Sequence, residues 1–224
     1  MNHPTVSPPA ARPRTRRLVV MDVDSTLITA EVIELLAAHA GSRSQVVAIT
    51  DRAMRGEIDF ATSLHERVAT LAGLPVQVLD DVRAEVELTP GARELLAELS
   101  ARGWPVGLVS GGFAEVVEPL AASLGISRTR ANRLEVADGL LTGRVRGAVI
   151  DRAAKAAALT EYAQAEGIAM ADTIAIGDGA NDLGMLAVAG FSVAFNAKPL
   201  VRAAAHAAVD GRLDAVLALI DHRD

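Results

Sequence analysis

The chain has 224 residues, of which 50% are hydrophobic and 22% are charged, and its mean hydropathy is +0.28. This composition excludes disorder over the bulk of the chain and predicts one globular domain, or a core with one inserted module. The absence of cysteine excludes a disulfide framework, a thiol nucleophile and any cysteine-ligated metal site. The net charge is −6, and residues 18–224 carry 18 basic against 28 acidic side chains, so we expect no nucleic-acid partner.

The first 17 residues differ from the rest, because they hold four prolines and four arginines and no acidic residue. This predicts a disordered Pro/Arg-rich arm over residues 1–17. The pair Arg16–Arg17 precedes only four apolar residues, too few for an export signal, and no run approaches the roughly 20 apolar residues of a membrane-spanning helix. We therefore expect a cytoplasmic protein without a membrane partner, either a monomer or a homodimer.

The first half of the chain predicts one strand followed by a helical insertion. Residues 18–21 form a continuous apolar run, typical of a strand buried on both faces of a parallel sheet. Residues 30–88 carry apolar side chains at three- and four-residue spacing, which indicates four short helices. We interpret them as a cap inserted after the loop of the first strand. A further helix is predicted over residues 92–102, closed by Gly103.

From residue 105 onward, strand and helix patterns alternate. The predicted elements are a strand at 105–109, a loop at 110–112, helices at 113–124 and 152–166, a hairpin at 132–145, strands at 173–176 and 191–195, and a short strand near Val209. This alternation predicts a three-layer α/β/α fold, resembling the Rossmann class, with a parallel sheet. The core comprises residues 18–29 and 89–224, and the small helical cap comprises residues 30–88.

Polar residues collect where three of the predicted strands end. They are Asp22 and Asp24, then Ser110 and Gly111, and then Asp178, Asn181 and Asp182. Ligands bind at the carboxyl ends of the strands in such sheets. Two nearby carboxylates in different surroundings suit a nucleophile and an acid–base. A carboxylate cluster without histidine or cysteine favours Mg²⁺, and magnesium in turn implies a phosphate.

Lysine usage singles out one cation. The chain has two lysines, Lys155 and Lys198, against 20 arginines, so a retained lysine indicates a need for a compact charge. Lys155 could offset the carboxylates and a transferring phosphoryl group. Taken alone, each motif is more often a turn or a solvated residue, and the scattered histidines predict nothing. The ordered combination on successive strand ends favours a catalytic site.

The combined motifs resemble those of the haloacid dehalogenase superfamily and, within it, the phosphoserine phosphatase family. The matching segments are residues 22–26, 110–112, Lys155 and residues 177–182. Longer strings that resemble the same family lie at residues 109–113, 131–134, 140–143 and 197–199. The likeness runs from about Leu18 to Leu219. Met21 and Val23 replace aromatic residues often found around the first aspartate, which we interpret as a packing change.

The resemblance implies a Mg²⁺-dependent phosphatase that converts O-phospho-L-serine to L-serine and phosphate, the last step of serine biosynthesis. It implies that Asp22 is the nucleophile, forming an aspartyl-phosphate, and that Asp24 is the general acid and base. The implied metal ligands are Asp22, the backbone carbonyl of Asp24 and Asp178, with Asp182 in support. The implied phosphoryl-binding residues are Ser110, Gly111 and Lys155, with Asn181 orienting the phosphate.

Four cap residues complete the implied site. Glu31 matches the family's contact to the amino group, Arg67 its contact to the carboxylate, and Met54 and Phe60 its apolar closing residues. Without the resemblance, the two charged residues would be interpreted as a solvated helix face and the two apolar ones as cap core. We expect no serine feedback through an amino-acid-sensing domain.

Two alternatives remain open. One is a phosphatase or phosphotransferase of the same fold acting on another small phosphomonoester, such as phosphothreonine or a phosphosugar. The other is a non-catalytic protein that binds a phosphorylated ligand.

Overall fold

The computed structural model describes residues 15–222, so most of the predicted arm lies outside the described residues. The strands are β1 (Leu18–Met21), β2 (Val106–Phe113), β3 (Arg128–Ala137), β4 (Leu140–Arg146), β5 (Thr173–Gly177), β6 (Phe191–Phe195) and β7 (Ala207–Val209). The helices are α1 (Val32–His39), α2 (Arg43–Met54), α3 (Phe60–Ala69), α4 (Val78–Glu85), α5 (Ala92–Ala101), α6 (Ala114–Ser123), α7 (Arg152–Glu166), α8 (Leu183–Val188), α9 (Pro199–Ala204) and α10 (Val216–Asp221).

Within residues 15–222 the strands form one sheet in the order β4-β3-β2-β1-β5-β6-β7. All neighbouring pairs are parallel except β3 and β4, which form the antiparallel hairpin predicted at residues 132–145. Strand β1 is wholly buried because helices cover both faces of the sheet. Its residues alternate between two apolar clusters, as the two-residue period of a strand requires. The predicted three-layer α/β/α fold is confirmed.

The helices α1–α4 form a separate layer over one end of the sheet. The two chain segments that connect them to the core run antiparallel, with a bridge between Ile28 and Leu88 and a 2.9 Å hydrogen bond from Thr89 N–H to the Leu27 carbonyl. Helix α3 packs on β4 and α4 on α6. This paired connection keeps the cap close to the strand ends, while the division into core and cap at residues 30–88 stays a prediction.

The structure corrects the sequence prediction at the end of β2. Residues 110–112 were predicted as a loop after a strand that ended at Val109, with a helix starting at residue 113. Instead β2 continues to Phe113, and its register against β3 shifts between Val109 and Phe113. The five residues from Val109 to Phe113 lie opposite only three residues of β3, Arg130 to Asn132. The extra residues, which include Gly111 and Gly112, therefore form a bulge in the strand. The glycine-rich segment is therefore an irregular part of a strand.

Among residues 15–222, the longest helix has 15 residues. No helix in that part of the chain combines the length and apolar composition needed to cross a bilayer.

Candidate functional site

A cavity of about 750 Å³ lies between the cap and the carboxyl ends of the central strands. Its walls come from both layers, so the fold brings together side chains that are far apart in sequence. The predicted site residues that line it are Asp22, Asp24, Gly111, Asp178 and Asn181 from the core and Glu31, Phe60 and Arg67 from the cap. Ser110, Lys155 and Asp182 lie buried beneath this surface.

Lys155 is the buried cation at the base of the site. It lies in the first turn of α7, which begins after Asp151, whose side chain accepts the N–H of Ala154 at 2.8 Å. Its Nζ lies 2.8 Å from Oδ1 of Asp22 and 2.6 Å from Oδ1 of Asp182. Burial alone would lower the pKa of Lys155, but Asp182 and Asp22 raise it above its ordinary value. Lys155 therefore stays charged at neutral pH.

Three carboxylates form a cluster with the geometry of a cation site. Asp22, Asp178 and Asp182 each offer one oxygen, and these atoms lie within 4.8 Å of one another. Burial, followed by the nearby charge of Asp182, raises the pKa of Asp22 well above its usual range. The same two causes, in the same order, raise the pKa of Asp178 to about 7. Bringing these groups together without a further cation thus favours protonation.

The hydrogen bonds distinguish the three carboxylates. Oδ1 of Asp182 pairs with Lys155, and its Oδ2 accepts the backbone N–H groups of Asp178 at 3.1 Å and Gly179 at 3.0 Å. Within the described residues, Oδ2 of Asp22 and Oδ2 of Asp178 accept no hydrogen bond. Asp182 therefore anchors the loop that begins at Asp178. The two free oxygens, on Asp22 and Asp178, suit a hard cation, because the cluster offers oxygen ligands and no nitrogen or sulfur ligand. The carboxylate of Asp24 lies outside the three-residue cluster.

Asp24 occupies a different environment from Asp22. Its carboxylate is buried, and its Oδ1 has no hydrogen-bond partner among the described residues. Burial, and then the charge of Glu31, raises the pKa of Asp24 well above its usual range. Gly112 permits this position, because a Cβ there would lie 2.8 Å from Oδ2 of Asp24. Asp24 therefore also favours its protonated form, and the nearby charge that contributes most is Glu31 rather than Asp182.

The bulged end of β2 forms one wall of the site. Ser110 is fully buried, and its Oγ accepts the N–H of Gly112 at 2.8 Å. The carbonyl of Gly111 accepts a hydrogen bond from Nδ2 of Asn132 at 2.8 Å. A Cβ at Gly111 would lie 2.9 Å from Cζ of Phe60, the first residue of α3. The glycine therefore lets the cap approach the bulge closely.

Two opposite charges face the cavity from the cap. Arg67 lies on α3, where its Nε donates to the Ser63 carbonyl at 3.2 Å. Burial lowers the pKa of Arg67, and Glu31 and Asp24 oppose that shift. Glu31 immediately precedes α1 and accepts a 2.6 Å hydrogen bond from Ser25 Oγ. The cap thus presents one anion and one cation above the core carboxylates.

Met54, the fourth cap residue predicted for the site, is the last residue of α2. Its side chain lies outside the described part of the structure, so its role stays a prediction.

Three further residues contact the predicted site, and the sequence analysis gave them no role. Ser25 binds Glu31, Thr26 donates to Asp178 Oδ1 at 3.0 Å, and Asn132 holds Gly111. Ser25 and Thr26 follow the paired aspartates directly, and Asn132 lies in one of the strings that carried the resemblance. Their positions in those motifs were the available signal, but spacing alone does not show which side chain each one contacts.

The fold and the site define a class of hydrolase. The sequence profile of haloacid dehalogenase-like hydrolases matches residues 19–187, and the chain belongs to that family. The predicted superfamily resemblance is therefore confirmed.

Individual relatives are similar over most of this chain. It is 59% identical over 208 residues to a phosphoserine phosphatase of Streptomyces coelicolor, a match that covers 92% of this chain and 51% of that protein. It is 53% identical over 185 residues to a phosphoserine phosphatase of Streptococcus thermophilus, covering 83% of this chain and 86% of that protein. The chain thus spans about half the length of the first relative and most of the second.

A solved structure described as a phospho-aspartyl intermediate analogue of phosphoserine phosphatase is also similar. It shares 40% sequence identity with this chain and superposes with a TM-score of 0.87, covering 92% of this chain and 99% of the other. A substrate-bound phosphoserine phosphatase complex superposes with the same TM-score at 39% identity.

Proposed function

We propose that this chain is a phosphoserine phosphatase that hydrolyses O-phospho-L-serine to L-serine and phosphate. The observation that carries the proposal is that Glu31 and Arg67 both line the cavity from the cap, above a core site that contains Asp22 and Lys155. A zwitterionic phosphomonoester presents an ammonium, a carboxylate and a phosphate, and each finds a group of opposite charge. The phosphoserine phosphatases among the relatives support this choice of substrate.

The phosphoryl group binds at the base of the cavity. Lys155 supplies a buried positive charge beside Asp22, while Gly111 lines the same space and Ser110 lies buried beneath it. Asn181, which also lines the cavity, orients the phosphate. Phosphoryl transfer depends mainly on positioning and on neutralising the charge of the transferring group. The Asp22 carboxylate then forms a bond to phosphorus as the bond from phosphorus to the serine oxygen breaks, giving an aspartyl-phosphate.

Asp24 moves the protons in both halves of the reaction. Burial and the charge of Glu31 raise its pKa, which favours the protonated form that donates to the departing serine oxygen. The resulting Asp24 carboxylate removes a proton from water, which attacks phosphorus, releases phosphate and restores Asp22. Two carboxyl groups in different surroundings thereby perform different tasks.

A divalent cation completes the charge balance. Mg²⁺ fits the oxygen-only donor set, and we propose that Asp22, Asp178 and the backbone carbonyl of Asp24 hold it, with Asp182 anchoring the loop. When bound, the ion supplies positive charge that keeps Asp22 ionised and offsets charge on the phosphoryl group.

The cap selects the rest of the substrate. The Glu31 carboxylate pairs with the substrate ammonium, and the Arg67 guanidinium pairs with the substrate carboxylate. Phe60 and Met54 provide the apolar part of the closing surface. Residues 30–88 act as the lid that limits access of water during phosphoryl transfer. We propose that the reaction serves serine biosynthesis in the cytoplasm.

The test compares phosphate release from L-phosphoserine, D-phosphoserine, phosphothreonine and sugar phosphates, with Mg²⁺ or with EDTA. We expect L-phosphoserine to lead by about tenfold or more, a margin worth about 1.4 kcal/mol, and EDTA to abolish turnover. Equal, slow turnover of every substrate would refute the roles of Glu31 and Arg67. A complete lack of metal-dependent turnover, with a phosphorylated ligand still bound, would favour a binding protein instead.

A further inference from the structure

Ser25 makes a direct contact with the residue proposed to bind the substrate amino group. Its Oγ donates to Oε1 of Glu31 at 2.6 Å, a short hydrogen bond to a carboxylate. Oε2 of Glu31 accepts no hydrogen bond from the described part of the chain, although Glu31 lines the cavity. One carboxylate oxygen is thus fixed by Ser25, and the other is available to a ligand.

The backbone places the hydroxyl group at some conformational cost. Ser25 has φ 56° and ψ 4°, in the left-handed region that glycine and asparagine favour. The N–H of Ser25 donates to the Ala30 carbonyl at 3.2 Å, which closes the turn that brings Ser25 beside Glu31. A strained non-glycine residue that orients a site residue indicates a functional constraint.

Within residues 15–222, Ser25 is the one residue that forms a hydrogen bond with the Glu31 side chain. Glu31 directly precedes α1, but its side chain makes no capping hydrogen bond, and its backbone carbonyl accepts the first helical N–H groups instead. Without Ser25, the carboxylate could rotate freely toward Arg67 or into the cavity.

We propose that Ser25 is a positioning residue that sets the specificity for the substrate amino group by holding the Glu31 carboxylate in place. This inference rests on the proposed function, because it assigns a task to Ser25 only if Glu31 binds an ammonium group. Ser25 thereby affects which substrate is preferred, and it is separate from the groups that perform phosphoryl transfer.

The experiment measures kcat and KM for O-phospho-L-serine and for 3-(phosphonooxy)propanoate, which keeps the phosphate and carboxylate but lacks the amino group. Ser25→Gly removes the hydroxyl and accepts the positive φ, and Ser25→Ala removes the hydroxyl but keeps the strain. We expect both variants to lose about tenfold in kcat/KM for phosphoserine, mainly through KM. Turnover of the analogue should stay unchanged, which also shows that the variants are folded.

Two controls separate positioning from a general effect. Ser44→Ala removes an exposed hydroxyl from the cap helix α2 and should leave both substrates unaffected. In a Glu31→Gln background, Ser25→Gly should have no further effect on discrimination, because the hydroxyl acts through the Glu31 carboxylate.

Equal losses for both substrates, a loss in Ser25→Ala alone, or unchanged discrimination would overturn the inference. A wild-type enzyme that does not prefer phosphoserine to the analogue would instead refute the proposed role of Glu31. The two failures are therefore distinguishable.

Discussion

Replacing Lys155 with methionine would remove the cation that contacts two buried carboxylates. Lys155 and Asp182 are fully buried and Asp22 is 4% exposed, and the two ion pairs measure 2.8 and 2.6 Å. Removing one partner of such a group leaves uncompensated buried charge and typically costs about 3–5 kcal/mol. We expect Lys155→Met to lower the free energy of unfolding by about this amount, a large fraction of the stability of an ordinary domain.

Urea unfolding in EDTA measures this loss without interference from a bound cation. The matched control is Arg93→Met, which removes one positive charge from an exposed position on α5. It should change the unfolding free energy by less than about 0.5 kcal/mol. Because Lys155 lowers the pKa of Asp22, its removal raises that pKa further. Protonation of Asp22 should therefore make the deficit of Lys155→Met smaller in acid.

A Lys155→Met protein as stable as Arg93→Met would refute this account of the buried charges. Phosphate release should also fall at least about a hundredfold, because Lys155 no longer offsets charge beside Asp22. Retained turnover would show that the ammonium group is not part of the catalytic charge balance.

Three other predictions follow from the site. The pKa of Asp178, ordinarily 3.8, is raised to about 7, so the metal-free folded state binds its proton more tightly than the unfolded chain. This contribution to stability, on the order of 4 kcal/mol, is fully present below about pH 4 and is lost as the pH rises through 7. The melting temperature in EDTA should therefore be lower at about pH 8 than at about pH 5. Mg²⁺ should offset this fall in melting temperature, and Asp178→Asn should reduce it. A pH-independent melting temperature would contradict it. Arg67→Ala should raise KM for phosphoserine about tenfold or more and leave KM unchanged for an analogue that lacks the carboxylate. In steady-state assays, an equal rise in KM for both substrates would argue against a contact between Arg67 and the substrate carboxylate. Gly112→Ala places a methyl group 2.8 Å from Oδ2 of Asp24 and should lower kcat more than it raises KM; unchanged kcat would show that the bulge adjusts freely.

Local patterns sufficed to predict most of the fold. The apolar run of β1 is flanked directly by Arg17 and Asp22, so the predicted and observed bounds of the strand coincide. Strand β2 was predicted too short, because Gly111 and Gly112 are typical of a turn and nothing in the sequence reports the register shift against β3. Pairing between strands depends on the partner, which local periodicity does not show.

The site was predicted as a set of residues but not as a set of contacts. Asp22 and Asp178 come from distant segments, and the rule that ligands bind at strand ends places both near one edge of the sheet. That rule does not place Lys155, which lies on α7 and was assigned from lysine usage and from the resemblance. The contact between Ser25 and Glu31 depends on the left-handed backbone conformation of Ser25. A serine in a sequence does not indicate that conformation. The position of Asn132 depends on the bulge in β2, so it could not be found while that segment was interpreted as a loop.

Trapping the phosphorylated enzyme tests the central claim most directly. Protein incubated with phosphoserine is quenched in acid, reduced with tritiated borohydride and digested, so that an aspartyl-phosphate loses its phosphate and is converted to labelled homoserine at its own position. The account predicts this conversion at Asp22 in the wild-type chain with Mg²⁺, and its absence in Asp22→Asn and in EDTA. Rapid phosphate release without any trapped Asp22, or with a label at another residue, would contradict it.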